Sequence, residues 1–484
     1  YGQKISWPTV QYMISEVFYG GKITDRQDAR LFGQIVKQWM SNDTLLSSFS
    51  YNPQATNIID PVLRSFDYRP PTTDCMEIDE FRKHIDGFPE IDPPELFGLH
   101  PNASLRFMLD ESRALLDSLS AVRRTASFGS DVEEPDDSQP DQKDVGASAT
   151  ADDKEQLVLQ MVRDILIDLP PQISSQIPEP KSHSVPPPAS SSSSSPDKRR
   201  RASSAVAASA SNNSVEARAA KAMNQPLARF LRQEITRMSL VQEKLSKHLH
   251  NVVLAITCII QKTPDLVQSI NELGQGLTPS LLVDGSWHSR SFAPWLDVLR
   301  KRHAQLDAWR DSGGIRPASV WFGGLFNPVG FLISVRQGVA RAIRVQEDRP
   351  IALDEMALHA EVTDMFDPAD IGKDATARLV SGVYLHGLVL EGAAWSKIEQ
   401  SLVESQPKSL TCTMPIIYIT CLTKLQKRNT TGDYGAYGAY KCPCYTYKVR
   451  SEDTFVFHID LSSRQHRPRH WIMRGVAILC SDAE

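Results

Sequence analysis

Seven cysteines in 484 residues are too few and too scattered for a disulfide scaffold, and an odd number leaves at least one unpaired in any intramolecular scheme. That points to a reducing compartment. Positive charge is not in excess either: 53 Lys and Arg against 58 Asp and Glu give a formal net charge of −5. A whole-surface nucleic-acid binder is thereby disfavoured. No apolar run is long enough to span a bilayer. The sequence opens on Tyr1, with neither an initiator Met nor a signal-peptide pattern, as a fragment or processed chain would. Neither GxxxxGK followed by Ser or Thr, nor GxGxxG after a strand, nor HExxH, nor GxSxG occurs. YGGKIT, Tyr19 to Thr24, has the glycines and lysine of a phosphate loop but not the spacing that wraps backbone N–H groups into a nest. The expectation is an intracellular, soluble protein with no nucleic-acid or membrane partner and no recognisable ATP site.

What is present is enough apolar material, 41% hydrophobic against 23% charged, for sizeable cores in roughly three domains. Near helical spacing recur Met13, Val17, Leu31, Ile35 and Trp39, broken at Gly20-Gly21, with Thr24 or Asp25 placed to cap the second helix. Leu105, Leu109, Leu116 and Leu119 form another stripe. Residues 123–154 then collapse into Ser, Asp, Glu, Gly and Ala, which bury too little surface to offset their ordering entropy, so disorder is expected there. A helical segment, 155–177, carries Leu157, Met161, Ile165 and Leu166; a Pro/Ser/Ala-rich stretch, 178–222, reads as a second disordered insertion. From about 226 to 262, Leu231, Met238, Leu245, Val252 and Ile259 lie seven apart with Ile235, Val241, Leu249 and Ile256 between them, which predicts a long helix. A coiled coil would also want systematic opposite charges beside the seam, and these are lacking. Trp295, Leu299, Leu306 and Trp309 mark one more helix; Asn327 and Pro328 suit the start of another, with Phe331, Val335 and Val339 inward.

After residue 350 the period shortens to two. MALHAEV, GVYLHGLVL, MPIIYITCL, YKCPCYTYKV, TFVFHIDL and HWIMRGVAIL are six strand candidates, predicting a small antiparallel barrel or sandwich. Within this part lie the candidates for chemistry. His386 and Glu391, five apart on one strand, would point to opposite faces and cannot share one substrate atom. The glycines of that run suggest bends in a barrel wall. Cys442 and Cys444 share a face, but no second cysteine pair follows and Cys480 is distant in sequence, so buried thiols are expected rather than zinc ligands. His466, Arg467, Arg469 and His470 read as a solvated basic loop. Lys198-Arg199-Arg200-Arg201 resembles a nuclear-localisation run, and RRTAS and RRAS offer Ser127 and Ser203 as phosphorylation sites, where a phosphate would add about −1.5 to −2 charge. No catalytic, cofactor-binding or metal-ligating residue is expected.

In order, YGGKITDRQDARL, FGLHPNA, SVWFGGLFNPVGFLISVRQGVAR, GVYLHGLVLEGAAW, MPIIYI, YKCPCY and HWIMRGVAIL resemble the C-terminal end of a dynein heavy chain, the axonemal type in particular, over about residues 7–480 outside the two insertions. The resemblance implies an α+β multidomain protein: residues 1–122 as part of the sixth AAA+ module, mainly its helical small subdomain, and 223–349 and 350–484 as the helical and β-barrel parts of the C-terminal domain. It implies a minus-end-directed microtubule motor of the cilium or flagellum axoneme, with ATP and Mg in upstream modules and none here. Its partners would be the other AAA+ modules, microtubules through an upstream stalk, and intermediate and light chains through an upstream tail. Val329 departs from the glutamine usual after GLFNP, and the barrel half argues against the shortened fungal cytoplasmic form. The alternatives are a cytoplasmic or intraflagellar-transport dynein, a free-standing scaffold protein, or a hydrolase using His386, Glu391 or Cys444.

Overall fold

The computed structural model describes residues 5–46, 49, 77–90, 92–97, 99–129, 151–174, 176–177, 199–347, 351–371, 382–429, 437–448 and 450–480. Within its helices the side chains at 117–118, 120–129, 151–153, 199–217, 425 and 428–429 are outside the description. The fold is α+β. Helix α1, Trp7–Tyr12, runs on as a π-helical turn, Met13–Phe18. Helix α2, Arg26–Trp39, starts where Asp25 accepts from the backbone N–H groups of Gln27 and Asp28, satisfying two donors that the first turn leaves open. Helices α3, Ile78–Asp86, and α4, Asn102–Gly129, follow. Here the expected stripes do not all turn inward: Met13, Val17, Leu109, Leu116 and Leu119 are exposed.

Helix α5 is Ala151–Asp168, and it buries Val158 and Val162 while Leu157 points to solvent, one residue out of phase with the expected stripe. Residues 130–150, the larger part of the first expected insertion, lie outside the described residues. Helix α6 is Arg199–Ile256, so the second expected insertion is helical from Arg199 onward, while 178–198 lie outside the described residues. The reason is compositional: the last proline of the insertion is Pro196, and the alanines that follow are the best helix formers. By Ala219 and Met223 that helix is already packed in the core. Leu231, Ile235, Met238, Leu245, Leu249 and Val252 are all fully buried on α6, each worth about 1.5–3 kcal/mol by transfer from water. Ile259, the last of the seven-spaced series, is exposed because the helix ends at Ile256 and Cys258 turns left-handed at φ 57°.

Helices α7, Pro264–Gly274, and α8, Phe292–Asp311, come next; Trp295, Leu299, Leu306 and Trp309 line the buried face of α8 as predicted. Helix α9, Pro328–Glu347, lies against α6, and the two approach so closely that a Cβ on Gly338 would sit 2.5 Å from the Met223 carbonyl oxygen. The strands are β1 Ser319–Trp321, β2 Met356–Val362, β3 Gly382–His386, β4 Val389–Glu391, β5 Ala394–Ser396, β6 Ser401–Val403, β7 Thr411–Thr413, β8 Ile417–Thr423, β9 Ala439–Tyr445, β10 Phe455–Ser462 and β11 Ala477–Leu479. A short helix α10, Pro468–Met473, precedes β11.

The expected antiparallel barrel is not closed among the described residues. The strands make a four-stranded sheet in the order β1-β3-β8-β2, a five-stranded sheet β10-β9-β11-β4-β7, and the hairpin β5-β6. Two pairings are parallel, β1 with β3 and β11 with β9. The break falls inside GVYLHGLVLEGAAW, where Gly387 at φ 79° ends β3 in one sheet and lets β4 start in the other. Only glycine fits, because a Cβ there would meet the Trp321 ring at 2.4 Å. HWIMRGVAIL is likewise half helix, since Pro468 at the first turn favours α10 and only Ala477–Leu479 extends. One apolar core runs from Val158 and Val162 through Trp295, Trp309 and Phe331 to Leu385, Ile419, Ile459 and Trp471, so helices and sheets do not have separate interiors. Among the described residues no helix is long and apolar enough to cross a membrane.

Candidate functional site

Glu391 ends β4 with its side chain 15% exposed, and each carboxylate oxygen holds a different cation. Oε1 accepts from Arg106 Nη1 of α4 at 3.2 Å, and Oε2 from Arg450 Nη2 at 2.7 Å. Arg450 Nη1 in turn donates to the Gly475 carbonyl at 2.6 Å, just ahead of β11. This carboxylate is therefore a strut between a helix and a sheet. His386 lies in the other sheet, its Nδ1 against the Ser319 hydroxyl of β1, and burial lowers its pKa so that the ring is neutral. His386 and Glu391 thus stand in different sheets, parted by the bend at Gly387, and not on opposite faces of one strand as the spacing argument had them.

A second limb joins the start of α4 to the 404–409 segment. Asn102 Nδ2 donates to the Ser409 carbonyl at 2.8 Å and the Gln406 carbonyl at 3.1 Å, and Asn102 Oδ1 accepts from the Lys408 amide at 2.8 Å. His100 Nδ1 accepts from the Asn102 amide at 3.1 Å, so the proton of a neutral ring sits on Nε2 and is donated to the Ser405 carbonyl at 3.0 Å. Burial and the nearby Arg474 both lower the pKa of His100, which agrees with that neutral tautomer. Arg474 Nη1 donates to the Leu99 carbonyl at 2.7 Å, while its Nε reaches Glu404 at 3.3 Å. Burial pushes the Glu404 carboxyl up, but the His470 hydrogen bond and the positive surroundings set by Arg474 and His470 outweigh it and hold the group at about 2. Arg30 Nη2 of α2 donates to the Tyr440 hydroxyl, and Arg469 Nη2 of α10 donates to the Gln34 carbonyl of α2, both at 3.3 Å.

A third feature fastens the segment WFGGLFNP to the helices. The Arg302 guanidinium of α8, 4% exposed, donates to the Gly323 carbonyl at 2.9 Å and the Gly324 carbonyl at 3.1 Å, and lies over the Trp287 ring at 4.6 Å. Burial pulls it down to about 10, which leaves it charged at neutral pH. Glu234 of α6, 1% exposed, accepts from the amides of Phe326 at 2.7 Å and Asn327 at 3.1 Å. Burial raises its carboxyl, and the two amides with Arg302 pull the other way. Asn327 Oδ1 then accepts from the Gly330 amide at 2.8 Å, the predicted cap of α9. Gly323 has no room for a side chain, since a Cβ would stand 2.0 Å from the Cys480 carbonyl beyond β11.

Cys442 and Cys444 are fully buried, and burial drives both thiols upward, which makes them inert. The fold brings Cys480 next to Cys444, Sγ to Sγ 3.7 Å, although 36 residues separate them in sequence. His466 and His470 are not simply a solvated loop: the rings stack at 4.0 Å and both reach Glu404. Ser127 and Ser203 fall in the spans of α4 and α6, with side chains outside the described residues. Lys22 of YGGKIT lies over the Tyr19 ring at 5.8 Å. Sequence reasoning missed Arg106, Arg450, Glu404, Glu234 and Arg302, which act through partners on other elements of the fold.

Residues 110–480 match the family model for the C-terminal domain of the dynein heavy chain, and residues 1–103 the model for its AAA lid domain. The junction limb built on His100, Asn102 and Leu99 thus ties one matched region to the other. Among curated proteins, dynein axonemal heavy chain 5 of Mus musculus is 30% identical over 477 residues, 98% of this sequence and 8% of that protein. Dynein axonemal heavy chain 8 of Homo sapiens is 30% identical over 476 residues, 98% of this sequence and 9% of that protein. The dynein gamma chain of the flagellar outer arm of Chlamydomonas reinhardtii is 27% identical over 479 residues, again 98% and 9%. The 484 residues therefore span less than a tenth of the length of these relatives.

Proposed function

Because the protein belongs to the dynein heavy-chain family, we propose that it is the C-terminal part of an axonemal heavy chain, an ATP-driven, minus-end-directed microtubule motor that bends cilia or flagella. Residues 1–122 would be part of the sixth AAA+ module, mainly its helical small subdomain, and 223–484 the C-terminal domain. ATP and Mg would be bound upstream, microtubules by a stalk and accessory subunits by a tail. This part's work is mechanical: it carries rigid-body motion of the lid helices into the sheets. The observation behind that reading is the seam, where Glu391, Asn102, His100 and Arg474 tie α4 and its approach to segments about 285 to 375 residues away.

The polar seam and the shared apolar core make a stiff element, and a stiff element is what transmits displacement between neighbouring modules. An antibody raised against residues 380–484 tests the placement on denaturing blots of whole cells and isolated flagella. The expected band lies far above the 54.0 kDa of these 484 residues and is enriched in flagella. A band at about that mass would overturn the motor assignment in favour of a free-standing scaffold, and a large band confined to the cell body would favour a cytoplasmic or intraflagellar-transport dynein.

A further inference from the structure

We infer that Glu404, His466 and His470 form a binding site for a divalent transition-metal ion of the zinc class. The three offer one ligand atom each, all lying within 4.8 Å of one another. They come from two separate places, the residue after β6 and the turn into α10, so the cluster is a product of the fold and not of a charge run. The sequence H-R-P-R-H spaces the histidines four apart, a separation used by zinc-binding histidine pairs. Pro468 begins α10 between them, and the histidine rings stack face to face at 4.0 Å.

The donor chemistry suits a borderline ion. Two imidazole nitrogens with one carboxylate match zinc better than magnesium or calcium, which prefer oxygen shells. Glu404 spends Oε1 on His470 and Arg474, yet its Oε2 is buried with no hydrogen-bond partner. The carboxylate whose Oε1 meets both imidazoles thus keeps an unpaired buried oxygen, an acceptor open to a cation. Side-chain exposures of 39% for His466 and 29% for His470 leave an entry path and room for a water as fourth ligand. Ligand atoms would close to contacts of about 2.0–2.2 Å around the ion. Arg474 is the opposing charge, and it retains the Leu99 carbonyl when Glu404 turns to the metal.

The site sits beside the junction. Glu404 immediately precedes the Ser405–Ser409 segment that grips His100 and Asn102, so a bound ion would pin that segment to α10. None of this depends on the motor reading.

The test uses the EDTA-treated 484-residue protein with the substitution Cys258→Ser, which removes an exposed thiol that would bind the same ions. Cobalt is titrated by visible absorption and displaced with zinc. One equivalent with a tetrahedral spectrum is expected. Affinity should fall about a hundredfold in His466→Ala and in His470→Ala, at least the loss usual for a group that merely supports a ligand. Far-UV circular dichroism checks that each variant is folded. On the unsubstituted histidines, zinc should shield His466 and His470 from diethyl pyrocarbonate, mapped by mass spectrometry, which covers the case of an unfolded variant. No cobalt binding, binding indifferent to both substitutions, or modification unchanged by zinc would each overturn the site.

Discussion

Replacing Glu234 with Ala removes the carboxylate that holds the WFGGLFNP segment to α6. The substitution strips the acceptor from the Phe326 and Asn327 amides, and it leaves Arg302 charged in the core without its nearby counter-charge. Hydrogen bonds to charged groups contribute about 1.5–3 kcal/mol each, and breaking a buried charged arrangement costs about 3–5 kcal/mol. A destabilisation of about 4 kcal/mol is therefore expected. Glu234→Gln preserves the shape and one acceptor oxygen but loses the charge, so its cost should be about 2 kcal/mol. Urea titration followed by tryptophan fluorescence suits the site, because Trp287 and Trp321 flank Arg302. Hydrogen exchange should quicken first at Phe326 and Asn327, and next in β11, against which Gly323 is wedged. A Glu234→Ala protein within about 1 kcal/mol of the parent would refute the reasoning, since a loss of that size is ordinary for point substitutions in general.

His386 supplies a pH dependence. Its folded pKa lies below the ordinary 6.5, so its contribution to stability is present above 6.5 and is lost as pH falls through that value toward the folded pKa. His386→Gln should remove the part of the urea-midpoint decline between neutral and mildly acid pH that this ring causes; an unchanged decline contradicts its burial as the cause. Gly387→Ala forces a left-handed residue to carry a Cβ into Trp321, costing about 1–2 kcal/mol of backbone strain plus about 1–3 kcal/mol of overpacking, measured by the same titration. Leu245→Ala, at a fully buried position of α6, should cost about 2–5 kcal/mol, and a smaller loss would mean that α6 repacks without a cavity.

Local patterns were legible in the sequence wherever one element decides its own fate. The stripes of α6, α8 and α9 follow helical spacing because each buries one face, and Asp25 and Asn327 act as the caps that their side chains suggest. The alternation of Phe457, Ile459 and Leu461 inward against His458 outward made β10 equally plain. Sheet order was not legible, because a closed barrel and two open sheets share the same period-two strands. What decides between them is one left-handed glycine, Gly387, pressed against a tryptophan 66 residues earlier. The seam was hidden for a similar reason: Arg106 and Glu391 lie 285 residues apart, and neither carries a local signal of the other. Alanine richness was read as flexibility between 199 and 222, where helix propensity and packing at Ala219 prevail.

The central claim is that the seam makes this region a mechanical brace. Deleting 380–484 is too blunt a test, because those residues share one core with α6, α8 and α9. The direct measurement is microtubule gliding by the parent motor carrying Glu391→Gln with Asn102→Ala, which weakens both limbs and leaves the core intact. Gliding speed or run length should change while nucleotide-sensitive microtubule binding persists. Motility indistinguishable from that of the parent would contradict the account.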